Sequence, residues 1–590
     1  MESNNTALQI PAYTTLVEAV IRRAAEDPQA RSIIFLHDDG SEQVITAEAL
    51  HQRNLAYAAA LRGLGVGEDD LVVLVLKHSE TLLSAFWGAM YLGAIASIFP
   101  FLTEKLDPVL YKARVKALVT QEEARAVITF PEFAAELREL LAGTNCTVLT
   151  SDDAETAFNN EYSDPRRSVR VSQDSPVFSS EKIAFLQHSS GTTGLQKGVA
   201  LSHRAVLNQV RAYSQAIALR AGDVVASWLP LYHDMGLIAG FIMPLVAGVP
   251  LVLMSPFTWV RSPRLLPQAV SAYRATLTWL PNFAYNHSVR GTRERDLEGV
   301  DLSSLRAVIN CSEPVRLDSH QMFLQRFAPY GLREEALSAC YAMAENTFAV
   351  TQTPPGQPPR VDWVVTAALQ GEKLAVPAEN AGSLNPDAAS NRDGLTPMVS
   401  CGFPIPGTEV RIVDAHRKTL PERQVGEVAL RSNCMLSGYY HREDATRDAI
   451  HHGWYFTGDI GYIADGELFI SGRKKDMIIV GGKNVFPQDL EAIANGVPGL
   501  YPGRSVAFGV SDERMGSEAI VMVCELEDEA AGEAARAEIE RELRQRVVRQ
   551  TEIALSDVLL VGRRWLIKTS SGKIARGDNR QKYFSLKLAE

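Results

Sequence analysis

Cysteine is scarce in this chain, and none of it is arranged to hold a metal. Cys146, Cys311, Cys340, Cys401, Cys434 and Cys524 are scattered over 590 positions without a CxxC pair. That pattern excludes a zinc ribbon or a disulfide framework and predicts free thiols in a reducing, cytoplasmic setting. A long basic run is also missing, and the formal net charge is −11, which sets aside nucleic acid as the main partner. The opening MESNNTALQIPAY lacks a basic n-region and an apolar h-region, so no signal peptide is expected. Two uncharged stretches, 82–102 and 236–254, reach membrane-spanning length. Gly93 and Pro100 interrupt the first; Pro244, Gly248 and Pro250 interrupt the second. Each is read as a buried helix running into a buried strand, and no membrane span is expected.

The chain is too long for a single compact core, so at least two domains are expected. Short β-branched runs (DLVVLVL, KALVT, RAVITF, CTVLT, VPLVLM) alternate with helical patterns. This predicts α/β layers around sheets covered on both faces. No repeat of solenoid period is evident. Residues 354–397 differ, being rich in Pro, Gly, Asn and Asp with one short apolar run around Trp363. A loop of that length is a functional segment or a partly ordered insertion. EVRIVD and GEVAL follow as strands of a smaller β unit. The C-terminal part reads as a small separate domain with an amphipathic helix, where Ile539, Leu543 and Val547 share a packing face.

The stretch HSSGTTGLQKGVALSH, 188–203, is the most unusual local pattern. Apolar runs at 183–186 and 199–201 flank it. A helix is expected from Ser202 as N-cap, with Val206, Val210, Tyr213 and Ile217 on one face. The loop therefore joins two strands. Gly198 follows Lys197 where a Walker A loop needs Ser or Thr, and no dinucleotide fingerprint is present. Gly191, Gly194 and Gly198 could still turn backbone N–H groups toward an anion. Ser189, Ser190, Thr192 and Thr193 add hydroxyl donors, and Lys197 adds charge. Residue types alone leave two readings open, an anion cradle or an ordinary polar loop.

This loop resembles the Ser/Thr/Gly-rich phosphate loop of the adenylate-forming superfamily, which includes acyl-CoA synthetases, carrier-protein ligases and luciferases. Further segments agree in order. CYAMAENT, 340–347, resembles the motif with a tyrosine near adenine and a glutamate on Mg²⁺, which implies those roles for Tyr341 and Glu345. WYFTGDIGYIADGELFISGRKKDMII, 454–479, reads by itself as strand, turn at Asp465-Gly466, strand and basic turn. The resemblance implies that Asp459 binds the ribose hydroxyls, that Arg473 lies near ribose and phosphate, and that Lys475 is a hinge. IKTSSGKIAR, 567–576, implies that Lys573 contacts the substrate carboxylate and the α-phosphate. His233, in WLPLYHDMGLIAG, resembles the histidine near phosphates and carboxylate. Ser312, Glu313, Ala342 and Met343 complete the implied nucleotide-binding set.

The implied fold is α/β, with a large N-terminal lobe of layered α/β subdomains plus a β unit, residues 1–474. A small mobile α+β C-terminal domain, 475–590, would swing at the hinge. WLPLYHDMGLIAG, LPNFAYN, VSCGFPIPG and NVFPQDLE resemble the forms found in fatty acyl-AMP ligases, and 354–397 falls where that group carries an insertion that disfavours CoA. The resemblance implies ATP- and Mg²⁺-dependent conversion of a fatty or similar carboxylic acid to acyl-AMP, with release of pyrophosphate. The acyl group would pass to the phosphopantetheine thiol of an acyl carrier protein in a polyketide or lipopeptide assembly line. An acyl- or aryl-CoA ligase is the alternative, and a non-catalytic nucleotide-binding module the remaining one. Residues 236–254 and 279–285 would line an acyl tunnel or simply pack the core. Ala342, Asn346, the Cys311-Ser312 pair and GGKN at 481–484 depart from the usual residues.

Overall fold

The computed structural model describes residues 8–103, 108–153, 156, 178–188, 197–378, 394–480, 483–512, 517–551, 553–569 and 572–589. Two large mixed sheets form the frame of the fold. The first runs in the order Phe403–Pro404, Ala349–Gln352, Leu337–Ala342, Ala307–Asn310, Leu277–Leu280, Val225–Ser227, Leu251–Met254, Arg31–Leu36, Glu42–Thr46. Its middle pairs are parallel and its edges antiparallel. The second runs Gly438–Tyr439, Gly198–Ser202, Ile183–His188, Ile95–Ile98, Leu71–Val75, Ala126–Thr129, Thr147–Thr150. The unbroken apolar strand Leu71–Val75 is buried at every position, as a central parallel strand covered on both faces requires. One hydrophobic core joins side chains of both sheets.

Helix Glu80–Tyr91 leads into strand Ile95–Ile98, which accounts for the first long apolar stretch. The second differs from a simple helix. Met235–Ile242 forms a π-helix before helix Met243–Ala247 and strand Leu251–Met254. Two glycines permit the close packing there. A Cβ on Gly236 would lie 2.3 Å from the Pro230 carbonyl oxygen, and one on Gly240 2.6 Å from Ser227 Oγ. Wide helical turns of this kind concentrate at functional sites. No helix among the described residues is long and apolar enough to cross a membrane.

A five-stranded antiparallel sheet carries Thr408–Val413, Gly426–Ser432, Trp454–Ala464, Ile450–His451 and Glu467–Arg473. Asp465 and Gly466, both at positive φ, make the expected turn between the two strands that carry Asp459 and Arg473. The run around Trp363 is a strand, Val361–Val365, paired antiparallel with Leu395–Val399. Val364, Leu369 and Met398 of this segment pack on Tyr462 and Phe469. Residues 478–589 form a further unit with a three-stranded sheet, Leu500–Asp512, Ser517–Leu526 and Asp557–Val561. Its cores are its own, and in helix Glu533–Thr551 Leu543 and Val547 are buried while Ile539 packs at the margin.

Buried titratable groups set an acid limit on this fold. Burial pushes the imidazole of His78 down to about 3 and those of His188, His203 and His320 down to about 4. Each favours the native state while neutral, and that stability is lost as pH falls through 6.5 toward 4. Burial pushes the Glu122 carboxyl up to about 8, which acts in the opposite sense, one group against four. A net loss of about 4 to 5 kcal/mol is expected between pH 6.5 and pH 5. Urea denaturation at the two pH values measures it, and equal midpoints would contradict this account.

Candidate active site

The site is assembled at strand ends and turns. Strands Trp454–Ala464 and Glu467–Arg473 pair so that Asp459 faces Arg473. The Asp459 side chain is buried, with Oδ2 accepting from the Tyr341 hydroxyl at 2.6 Å and Oδ1 lying 3.2 Å from Arg473 Nε. Tyr341 closes strand Leu337–Ala342. Burial and then Asp459 push its phenol well up, so the hydroxyl stays a donor. The Asp459 carboxylate in turn raises Arg473 further above its ordinary value.

After Tyr341 the chain turns through Ala344–Asn346, and Thr347 sits at φ +64 with its hydroxyl donating to the Cys434 carbonyl at 2.6 Å. This turn carries Glu345. The Tyr439 hydroxyl donates to Glu345 Oε1 at 3.0 Å and lies 3.0 Å from the Tyr455 hydroxyl. The Lys197 ammonium stands 4.6 Å from the centre of the Tyr439 ring, a cation–π contact. Tyr439 thus links the end of the glycine-rich loop to Glu345. Loss of surrounding water raises the Glu345 carboxyl; Asp234 adds to this, while Arg473 opposes it.

His233 and Asp234 stand at the mouth of the π-helix, with Nδ1 of the histidine 2.6 Å from Asp234 Oδ1. Met235 N–H also donates to Asp234, at 2.8 Å. Burial pushes the Asp234 carboxyl up, but His233, Lys573 and the Met235 N–H together outweigh it and hold the group below its ordinary value.

Lys573 reaches this cluster from the C-terminal unit. Its Nζ donates to the Ser312 carbonyl at 2.7 Å, and Ser312 adopts φ +71. Burial lowers the Lys573 ammonium while Glu313 and Asp234 oppose that shift. Glu313 Oε2 accepts from the Phe283 N–H at 2.9 Å, in the first turn of helix Asn282–Gly291. Lys475 lies in the turn after Arg473, where burial and Arg473 lower it, with Asp459 and Lys197 also in electrostatic range.

The structure therefore brings together Lys197, His233, Ser312, Glu313, Tyr341, Glu345, Asp459, Arg473, Lys475 and Lys573, drawn from six separate stretches. Ala342 ends its strand, and Met343 follows with its N–H on the Phe348 carbonyl. Ser189, Ser190, Gly191, Thr192, Thr193 and Gly194 lie outside the described residues. Sequence reasoning passed over Asp234, Tyr439 and Tyr455. Asp234 had a signal, an acid beside a candidate histidine. The two tyrosines had none, because only the tertiary fold brings them to Glu345. Of the 279–285 run, Trp279 and Tyr285 are core residues, their polar atoms donating to the Tyr213 hydroxyl and the Val308 carbonyl. Phe283 borders the site, 3.9 Å from where a Cβ on Gly572 would stand.

Among the described residues no cluster of three His, Cys, Asp or Glu could hold a metal unaided. A single carboxylate such as Glu345 suits Mg²⁺, which keeps waters and shares phosphate oxygens rather than filling a protein cage.

Comparisons with known proteins identify the family and the fold. Residues 20–440 match the family model of the AMP-binding enzymes. The medium-chain-fatty-acid–[acyl-carrier-protein] ligase JamA of Moorena producens is 30% identical, over 97% of this chain and 95% of JamA. A putative fatty-acid–CoA ligase, fadD25, of Mycobacterium tuberculosis is 29% identical, over 94% of this chain and 95% of the relative. A fatty acyl-adenylate ligase structure from work on the E. coli and L. pneumophila enzymes superimposes with a TM-score of 0.86 at 26% identity, covering 99% of each chain. An L. pneumophila fatty acyl-adenylate ligase bound to acyl adenylate and pyrophosphate gives 0.72 at 28% identity, over 98% of each. The chain belongs to the AMP-binding enzyme family. Within that family it is a ligase whose likeness to fatty acyl-AMP ligases runs over nearly its whole length.

Proposed function

We propose that this ligase activates a fatty acid with ATP and Mg²⁺, releasing pyrophosphate, and passes the acyl group to the phosphopantetheine thiol of an acyl carrier protein. The observation that carries the reading is Lys573 of the C-terminal unit on the Ser312 carbonyl, beside Asp234 and Glu313. Attack of a carboxylate oxygen on the α-phosphorus forms one O–P bond and breaks another. It depends on in-line placement and charge neutralisation. Asp459 would accept from the ribose hydroxyls while Arg473 steadies the same end. Lys197 and the loop from Ser189 to Gly194 would hold the outer phosphates. Glu345, oriented by Tyr439, would hold Mg²⁺, which supplies charge neutralisation at the phosphate oxygens. His233, oriented by Asp234, and Lys573 would meet the carboxylate and α-phosphate.

The second half-reaction needs Lys573 withdrawn so that a thiol can enter. We place the moving boundary at Lys475, with residues 1–474 and 475–590 as its two sides. Carrier protein is favoured over CoA by JamA's printed activity and by the inserted segment. Its turn Ala368–Glu372 packs beside strand Lys483–Val485, just past the hinge. CoA as acceptor is the second reading, favoured by the name of the M. tuberculosis relative. Free thiols at all six cysteines accord with a cytoplasmic setting.

A panel of fatty and aryl acids, read by pyrophosphate release and then by acyl transfer to holo-carrier protein or to CoA, tests the proposal. Release that requires a fatty acid, followed by transfer to the carrier alone, is expected. Prompt acyl-CoA formation would select the second reading, and release independent of any acid would sink both.

A further inference from the structure

The strip 311–316 receives the C-terminal unit at two points. One is the Ser312 carbonyl, which takes Lys573. The other is Arg316. Its N–H donates to Asn282 Oδ1 at 3.1 Å, which anchors it to the large lobe. Its guanidinium reaches out to the first turn of helix Pro487–Asn495. There Nη2 donates to the Gln488 carbonyl and Nη1 lies 3.5 Å from Asp489 Oδ1. The Gln488 side chain donates to the Ser471 carbonyl at 2.7 Å. It fills the space that Gly472 leaves, since a Cβ there would lie 2.3 Å from Gln488 Nε2.

That helix is tied to the Lys573 loop. One turn further on, Glu491 pairs with Arg576, and both also bond the Ala507 backbone. Arg576 opens the final helix three positions after Lys573. The loop itself is cross-linked, with Thr569 N–H donating to the Lys573 carbonyl at 2.7 Å and Asn579 bonding both backbone groups of Ile567. A continuous strut therefore runs from Arg316 through Asp489, the helix, Glu491 and Arg576 to Lys573.

We infer that Arg316 is a positioning residue for the first half-reaction: it latches helix Pro487–Asn495 and through it sets Lys573 against the Ser312 carbonyl. The inference rests on the two-step reading given above. The latch spans two lobes that must separate before a thiol enters, whereas the Glu491–Arg576 pair lies within one lobe and travels with it. Arg316 and Asp489 are both partly open to water, with side chains 28% and 34% exposed, so water can replace the contact when the lobe turns. An interaction made in one arrangement and lost in the other shifts the balance between them by its own strength.

The test separates the half-reactions in Arg316→Ala, Arg316→Lys and Asp489→Ala. Arg316→Ala is expected to slow acid-dependent pyrophosphate release at least about tenfold, through misplacement of Lys573. Transfer of preformed acyl-AMP to holo-carrier protein should be unchanged or faster. Trypsin should cut the intact chain faster around Arg473, Lys474 and Lys475, and Arg316→Lys should restore part of each effect. Asp489→Ala should add little on top of Arg316→Ala. Equal losses in both half-reactions, or unaltered pyrophosphate release with unaltered cleavage, would overturn the latch. If the wild type releases no pyrophosphate with any acid, the functional reading fails instead. The trypsin comparison then decides the latch by itself: faster cutting upholds it and equal cutting ends it.

Discussion

Replacing Lys573 by alanine is expected to slow acyl-AMP formation by about a thousandfold while ATP still binds, the upper range for loss of one preorganised donor to developing charge. The ribose and outer-phosphate contacts assigned to Asp459, Arg473 and Lys197 do not involve Lys573, so nucleotide affinity should barely change. The residue is held at the Ser312 carbonyl, and in the proposed mechanism its contribution falls in the adenylation step. Transfer from preformed acyl-AMP should proceed in the variant. Its ammonium is lowered by burial, and it works only when protonated. Adenylation should therefore fail at a lower alkaline pH than an ordinary lysine would dictate. Rapid-quench measurement of acyl-AMP across pH checks both points, and a variant that adenylates at the wild-type rate would remove Lys573 from the mechanism.

Asp459→Ala should raise the ATP concentration needed for half-maximal rate by about a hundredfold or more, because the proposed pair of charge-assisted ribose bonds would be lost together. The change also strips the Tyr341 hydroxyl and Arg473 of their shared partner. Asp459→Asn keeps the shape and one acceptor oxygen, so it should lie between wild type and alanine. Calorimetric titration with a non-hydrolysable ATP analogue separates this from a folding defect, and undiminished affinity in Asp459→Ala would exclude the ribose role.

Local elements were legible where one short stretch contains its own cause. Ser202 caps helix His203–Ala216 through its side chain, as hydroxyl and following periodicity foretold. The Asp465-Gly466 turn was readable because few residues tolerate positive φ in succession. The π-helix was not, since its glycines answer to Pro230 and Ser227 only after the chain has folded. The strand at Val361–Val365 was hidden among turn formers, and its partner begins 30 residues later.

For the site, the order of motifs along the chain named Lys197, Glu345, Asp459, Arg473 and Lys573, because several short patterns resemble one family in the same order although each alone leaves a plainer reading open. Which groups orient them was decided by tertiary structure. Tyr439 reaches Glu345 across 94 positions, Tyr341 reaches Asp459 across 118, and Lys573 reaches Ser312 across 261. Side-chain chemistry is local and can be read from residue type. The field that tunes a charge depends on distance through space, and chain separation carries no information about that until strands and lobes have packed.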